Sequence, residues 1–147
     1  MALVSLTRLR LRSWRHLLPF AGWVAASVWQ SLRAEGLLHL VLLRDRRNTF
    51  WTYTVWRDQS CMEQFRRHGS HGQAMRHLAT WCDESAVVHW QDDGTGEAAL
   101  RSPDWHALHG RLISGGHYTA LPNPSAAHQS HNLPDPACGR GRVIRLR

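Results

Sequence analysis

Of the histidines in this chain, His71 has the surroundings that chemistry asks for. It opens a segment, residues 71–82, in which His71, Ala74, Met75, Leu78, Trp81 and Cys82 recur at helical spacing, with Gln73, Arg76, His77 and Thr80 opposite. Imidazole changes charge near neutral pH, and a helix N-terminus disfavours its protonated form. A neutral imidazole on an apolar face is a candidate catalytic base or haem ligand, the plain alternative being a hydrogen-bonded core or capping histidine. Thr52, Thr54 and Trp56 share one face of a strand. With Met75, Trp81, His89 and Trp90 they make a candidate lining for a flat apolar or aromatic small molecule, the alternative being ordinary core packing. Asp83 and Glu84 are adjacent, so their side chains diverge; they read as a solvated turn or an ion pair with Arg76 rather than an acid–base pair. His68 and His71, and His106 and His109, are three apart, but no carboxylate joins them at a zinc spacing and Gly69 interrupts the first pair, so no metal site is expected. There is no phosphate loop or nucleophile elbow.

The elements that must position these residues follow from periodicity. Residues 49–56 alternate Trp51, Tyr53 and Val55 against Phe50, Thr52, Thr54 and Trp56, which is a strand with both faces apolar. Asp58 is placed to cap a helix over 59–68; Gly69 stops it and Ser70 can cap the next. Residues 85–90 form a short strand with Ala86, Val88 and Trp90 on one face and Ser85, Val87 and His89 on the other. Upstream, residues 3–12 place Thr7, Leu9 and Leu11 opposite Arg8, Arg10 and Arg12, an amphipathic strand with one wet face. Residues 14–34 are a long helix, and 37–43 a nearly continuous apolar strand hairpinned to 49–56. Residues 91–97 are turn chemistry and 103–113 a short helix. From 122 to 147 Pro, Asn, Ser, His and Gly dominate, which predicts a poorly ordered tail behind a domain of residues 1–121.

The length suits one domain, with 43% apolar residues for its core. All 18 basic residues are arginine against 11 acidic ones, so nonspecific attraction to polyanions is expected. The arginines are scattered and no nucleic-acid-reading motif is present, so no specific nucleic acid is a partner. Cys61, Cys82 and Cys138 have neither scaffold nor metal spacing; Cys61 and Cys82, on helix interiors, read as buried free thiols in a reducing, cytoplasmic compartment. The apolar run 17–32 is shorter than a span and holds Pro19, Gln30 and Ser31. A buried helix is the favoured reading, contact with a membrane surface is the first alternative, and a true span or signal peptide the second.

Strand, helix, strand, taken twice, is the ferredoxin-like βαββαβ arrangement, an α+β fold with a four-stranded antiparallel sheet and its helices on one face. The other face, apolar as well, would have to be covered by a second copy, giving a homodimer that pairs through the sheet. The strings TYTVWRD, FRRHGSHGQAMRHLATWCDES and VVHW, with the weaker RLRLRSW, PDWHALHGRL and NPS, resemble the dimeric α+β barrel superfamily. Within it they resemble a bacterial branch related to the antibiotic-biosynthesis monooxygenases and sometimes labelled spheroidene-monooxygenase-like. The superfamily includes cofactor-free oxygenases of polyaromatic phenols, haem-degrading enzymes and haem-dependent dismutases. The resemblance implies a monooxygenase-like oxidoreductase holding an apolar or aromatic small molecule in a barrel cavity, with no cofactor or with haem. A noncatalytic ligand- or haem-binding dimer of the same fold is the alternative. No motif here matches the catalytic set of any one member residue by residue.

Overall fold

A computed structural model of the 147-residue chain describes residues 1–92, 98–136 and 142–147. Cys138 and most of the expected 91–97 turn lie outside the described residues. The elements run β1 (Ala2–Leu11), a 3-10 turn (Trp14–His16), α1 (Leu17–Leu32), β2 (Leu37–Asp45), β3 (Thr49–Trp56), α2 (Gln59–Arg67), α3 (Gly69–Trp81), β4 (Cys82–Asp92), α4 (Trp105–Gly115), β5 (His117–Tyr118), α5 (Ala126–Gln129) and β6 (Arg142–Arg145). The first eight make the ferredoxin-like order, with β4, β1, β3 and β2 side by side and antiparallel. The expected four strands are extended to six, because β5 pairs with β4 and β6 with β2.

Helices α1 and α3 lie against one face of the sheet. Their packing is built on Phe20, Leu78 and Trp81 at one end; at the other, Cys61 and Met62 of α2 pack with Trp56 and with Val28 and Leu32 of α1. Asp58 caps α2 as its position predicts, accepting from the Cys61 amide at 2.9 Å. Ser70 does not cap α3: the helix starts two residues earlier than that cap would set it, with His68 in the N-cap position and no side-chain bond. Gly69 has φ +66 at that joint, where a Cβ would lie 2.7 Å from the Gln30 amide oxygen, so a side chain there would strain the backbone and displace the Gln30 amide.

The opposite face carries Val4, Leu6, Val41, Trp51, Tyr53, Val55 and Ala86, all at most 5% exposed. They are covered within the same chain by Ala99, by Trp105, Leu108 and Leu112 of α4, and by Leu133. The burial that was expected to demand a second copy is thus supplied by residues 98–136, and the reason for pairing through this face falls away. The described part of the 122–147 segment holds α5 and β6 and buries His128 and Leu133.

That cover also overturns the wet face of β1. Arg8 is 3% exposed, donating to fully buried Glu84, and Arg10 grips Asp83 through two bonds of 2.9 and 2.6 Å. Asp83 and Glu84 are therefore neither a solvated turn nor partners of Arg76. β4 begins at Cys82 rather than 85, which sets Glu84 opposite Arg10 in register, and Ser125 closes the cluster by donating to Glu84 at 2.7 Å. Burying such charges costs desolvation that their pairing only offsets, and removing one partner leaves the other buried and uncompensated. Glu84→Gln should destabilise the chain by about 3–5 kcal/mol in urea unfolding, and Arg8→Met combined with Glu84→Leu by less than that single change. A double variant as unstable as the sum of its parts would contradict the pairing.

Candidate functional site

Between the helices and the sheet lies a cavity of about 330 Å³, within the range of small-molecule sites. Strand register gives its floor. One row across the sheet runs His89, Ser5, Thr54, Leu40; the next runs Val87, Thr7, Thr52, Leu42; a third runs Ser85, Leu9, Phe50, Arg44. The floor is thus a strip of hydroxyls with apolar and charged ends. Its roof comes from Phe20, Trp23, Val24 and Val28 of α1 and from His71, Ala74, Leu78 and Trp81 of α3.

The structure brings His71, Thr52, Thr54, Trp56, Met75, Trp81 and His89 to this cavity. Met75 is 42% exposed and sits with exposed His89 at its mouth. Trp81 is sandwiched, stacked on His77 at 4.9 Å and edge-on to Phe20 at 6.5 Å. Thr54 accepts from the Trp56 indole at 3.0 Å and reaches the Ser5 carbonyl, so its hydroxyl is already occupied. The Thr52 hydroxyl makes no hydrogen bond among the described residues and stays available. Trp90 is not part of the lining: it faces α4, packing near Tyr53 and under the Arg111 guanidinium at 4.9 Å. The alternation on β4 already puts Trp90 and His89 on opposite faces, and the register of β4 on β1 decides which one meets the helices.

His71 is held from three sides. Its backbone amide donates to Gln30 Oε1 at 3.0 Å, its ring lies 4.6 Å from Phe65, and Nδ1 makes a long bond of 3.5 Å to the Arg66 carbonyl. In the tautomer with hydrogen on Nδ1, Nε2 carries the lone pair. Burial, and then the Arg66 charge, push the imidazole below its ordinary pKa, outweighing the carbonyl that favours protonation. The His89 pKa is lowered by the same two causes. At neutral pH His71 is therefore uncharged and able to accept a proton.

Ser5, Thr7, Gln30 and Arg66 were not legible as site residues. Ser5 and Thr7 lie two apart on the β1 face that turns to the helices, a signal visible by extending the alternation of Thr7, Leu9 and Leu11 backwards. Gln30 gives no such sign. Its Nε2 donates to the carbonyls of His68 at 2.7 Å and Phe65 at 3.3 Å while Oε1 takes the His71 amide, so one side chain ties α1 to the α2–α3 joint. Among the described residues no three of His, Cys, Asp or Glu converge as a metal site. Cys61 and Cys82 are buried and unpaired, and burial pushes the Cys82 thiol up to about 12.

Residues 20–77, from α1 into α3, match the model of the family described as antibiotic biosynthesis monooxygenase. The matched stretch contains Gln30, Thr52, Thr54, Trp56, His71 and Met75, and stops short of Trp81 and His89. Solved structures share the fold. SnoaB, a cofactor-independent oxygenase from Streptomyces nogalater, aligns with TM-score 0.53 at 17% identity, over 64% of this chain and 95% of its own. Rv0793 from Mycobacterium tuberculosis aligns with TM-score 0.58 at 10% identity, over 65% and 99%. PA3566 from Pseudomonas aeruginosa aligns with TM-score 0.55 at 17% identity, over 63% and 95%. No curated protein matches the sequence.

The histidines give a pH prediction. His39 is buried between β2 and the α4 side, and burial followed by the Arg145 charge lowers its pKa as well. The unfolded chain protonates both residues near 6.5, whereas the folded chain keeps them neutral to lower pH. Over that window the unfolded state binds more protons, so stability falls as pH drops through about 6.5. Histidine NMR titration should place the midpoints of His39 and His71 below 6.5. Ordinary or raised midpoints would contradict the burial account.

Proposed function

We propose that the monooxygenase-like domain binds a flat apolar or aromatic molecule in the helix-side cavity and that His71 acts on it as a base. The observation that carries this reading is a neutral, anchored imidazole placed at an apolar cavity whose floor is a strip of hydroxyls. Trp56, Trp81, Phe20 and Leu78 would grip the faces of a ring system, and the open hydroxyl of Thr52 would orient its oxygen substituent. His71 Nε2 would take an acidic proton from a phenolic ring, and the electron-rich anion would then be the species that dioxygen oxidises. In that scheme the substrate supplies the electrons, which agrees with the cofactor-independent oxygenase among the proteins of this fold. Arg66, at the rim, would favour the anion over its protonated form.

A neutral Nε2 is also the form that would bind haem iron, which in such a pocket would supply oxygen or peroxide activation. The residues fit that group in donor chemistry, with His71 as ligand and Arg44 and Arg66 at the rim for carboxylates. Haem titration separates the two readings: a Soret band that His71→Ala abolishes supports the haem protein, and its absence leaves the base.

Oxygen uptake with polycyclic phenols tests the main reading. His71→Ala should lower turnover by about 10²–10⁴-fold while probe affinity stays within a few-fold. Thr52→Val should weaken affinity, and Trp90→Phe should change neither. Full turnover in His71→Ala would remove its role as base. Saturable binding without oxygen uptake, in wild type and variant alike, would favour a noncatalytic ligand carrier.

A further inference from the structure

Helix α1 is apolar on two opposite sides. Phe20, Val24, Ser27 and Ser31 look into the cavity, while Leu18, Ala21, Gly22, Ala25 and Trp29 fall within an arc of about 100° on the other side at about 100° per residue. Among the described residues nothing covers that outer side: Leu18 is 84% exposed, Trp29 is 60% exposed, and a Cβ at Gly22 would meet nothing within 4 Å. Trp14, 73% exposed, continues the stripe into the 3-10 turn. A run of exposed apolar residues of this length on a soluble face requires an explanation.

Charge indicates what covers it. α1 contains no charged residue along its 16 positions, and its ends are arginine. Exposed Arg12 and Arg15 precede it with His16; Arg33 caps its C-terminus with its guanidinium 4.0 Å over the Trp29 ring; and Arg147 donates to the Leu32 carbonyl at 3.3 Å. The acid nearest in sequence, Glu35, is paired with Arg57 at 3.0 Å. Apolar residues between two tryptophans, with arginines at both ends, match the layered chemistry of a membrane surface: acyl chains, then the interface that tryptophan prefers, then anionic headgroups. No described helix is long and apolar enough to cross a membrane, so the contact lies along the surface.

We propose that the outer face of α1 docks the domain on an anionic lipid surface, with Leu18 and Trp29 entering the acyl boundary and the terminal arginines meeting headgroup phosphates. A second copy of the chain is the competing occupant. It would bury the apolar stripe but would bring the two sets of arginines together without carboxylates to receive them. The proposal stands apart from the catalytic reading, because neither Leu18 nor Trp29 lines the cavity.

Flotation of the full chain with phosphatidylcholine vesicles, with and without phosphatidylglycerol, tests it. The chain should float with the anionic vesicles and stay at the bottom with neutral ones. Leu18→Gln and Trp29→Gln should each weaken the partition about tenfold, and Arg15→Gln and Arg33→Gln about fivefold each. All four positions are solvent-exposed, and circular dichroism should show an unchanged fold. Three outcomes would overturn the proposal. The chain could fail to float at low salt. Flotation could be lost in salt yet be indifferent to Leu18→Gln and Trp29→Gln, which would mean adsorption by net charge alone. Or these substitutions could dissolve a dimer of a chain that does not bind vesicles, which would make a second copy the occupant.

Discussion

A sheet that is apolar on both faces has to be covered twice, and in this chain the two covers differ in kind. On one side residues 98–136 fold tightly back, bringing Leu112 and Leu133 onto Trp51 with no more than 1% exposure in any of the three. On the other side the helices meet the floor in two clusters near its ends, through Phe20, Leu78 and Trp81 of α1 and α3 and through Met62 of α2 against Trp56. Short hydroxyl side chains occupy the middle of that floor, where Ser5 faces Thr54 and Thr7 faces Thr52. Small residues beneath large ones leave the helices standing off, and the cavity is what remains.

Holding an imidazole over that cavity requires the α2–α3 joint to stay in place. The joint is a left-handed glycine followed by a helix whose first turn has no side-chain cap of its own. Its free groups go instead to Gln30, which reaches across from α1 and satisfies the His71 amide and the His68 carbonyl together. The helix that roofs the cavity is therefore also the one that aims its best candidate residue. The buried cluster of Arg8, Arg10, Asp83, Glu84 and Ser125 does the matching work on the far face, fastening the returning segment to β1 and β4.

Much of this was legible in single elements and little of it in their pairing. The alternation over 49–56 located β3 to the residue, and Asp58 announced the start of α2, because both depend on local geometry. The helical spacing of His71, Ala74, Met75, Leu78 and Trp81 gave the cavity side of α3. Trp90 was grouped with Trp56 and Trp81 because one strand's parity says which residues share a face, not which face meets the helices. The arginines of β1 read as solvated since charge normally is; only the return of the chain over them, with Asp83 and Glu84 in adjacent register, makes burial tolerable. Gln30 was invisible because an isolated amide on a helix carries no signature until its partners are known.

The central claim is that the helix-side cavity, and not the close-packed far face, receives a ligand. Titrating isotope-labelled protein with a hydroxylated naphthalene and following backbone amides and methyl groups tests it most directly. The account predicts saturable shifts at Thr52, Thr54, Ala74, Leu78 and Val87, with Ala86, Leu112 and Leu133 unmoved. Saturable shifts centred on the α4 side, or none at the floor of the cavity, would contradict it.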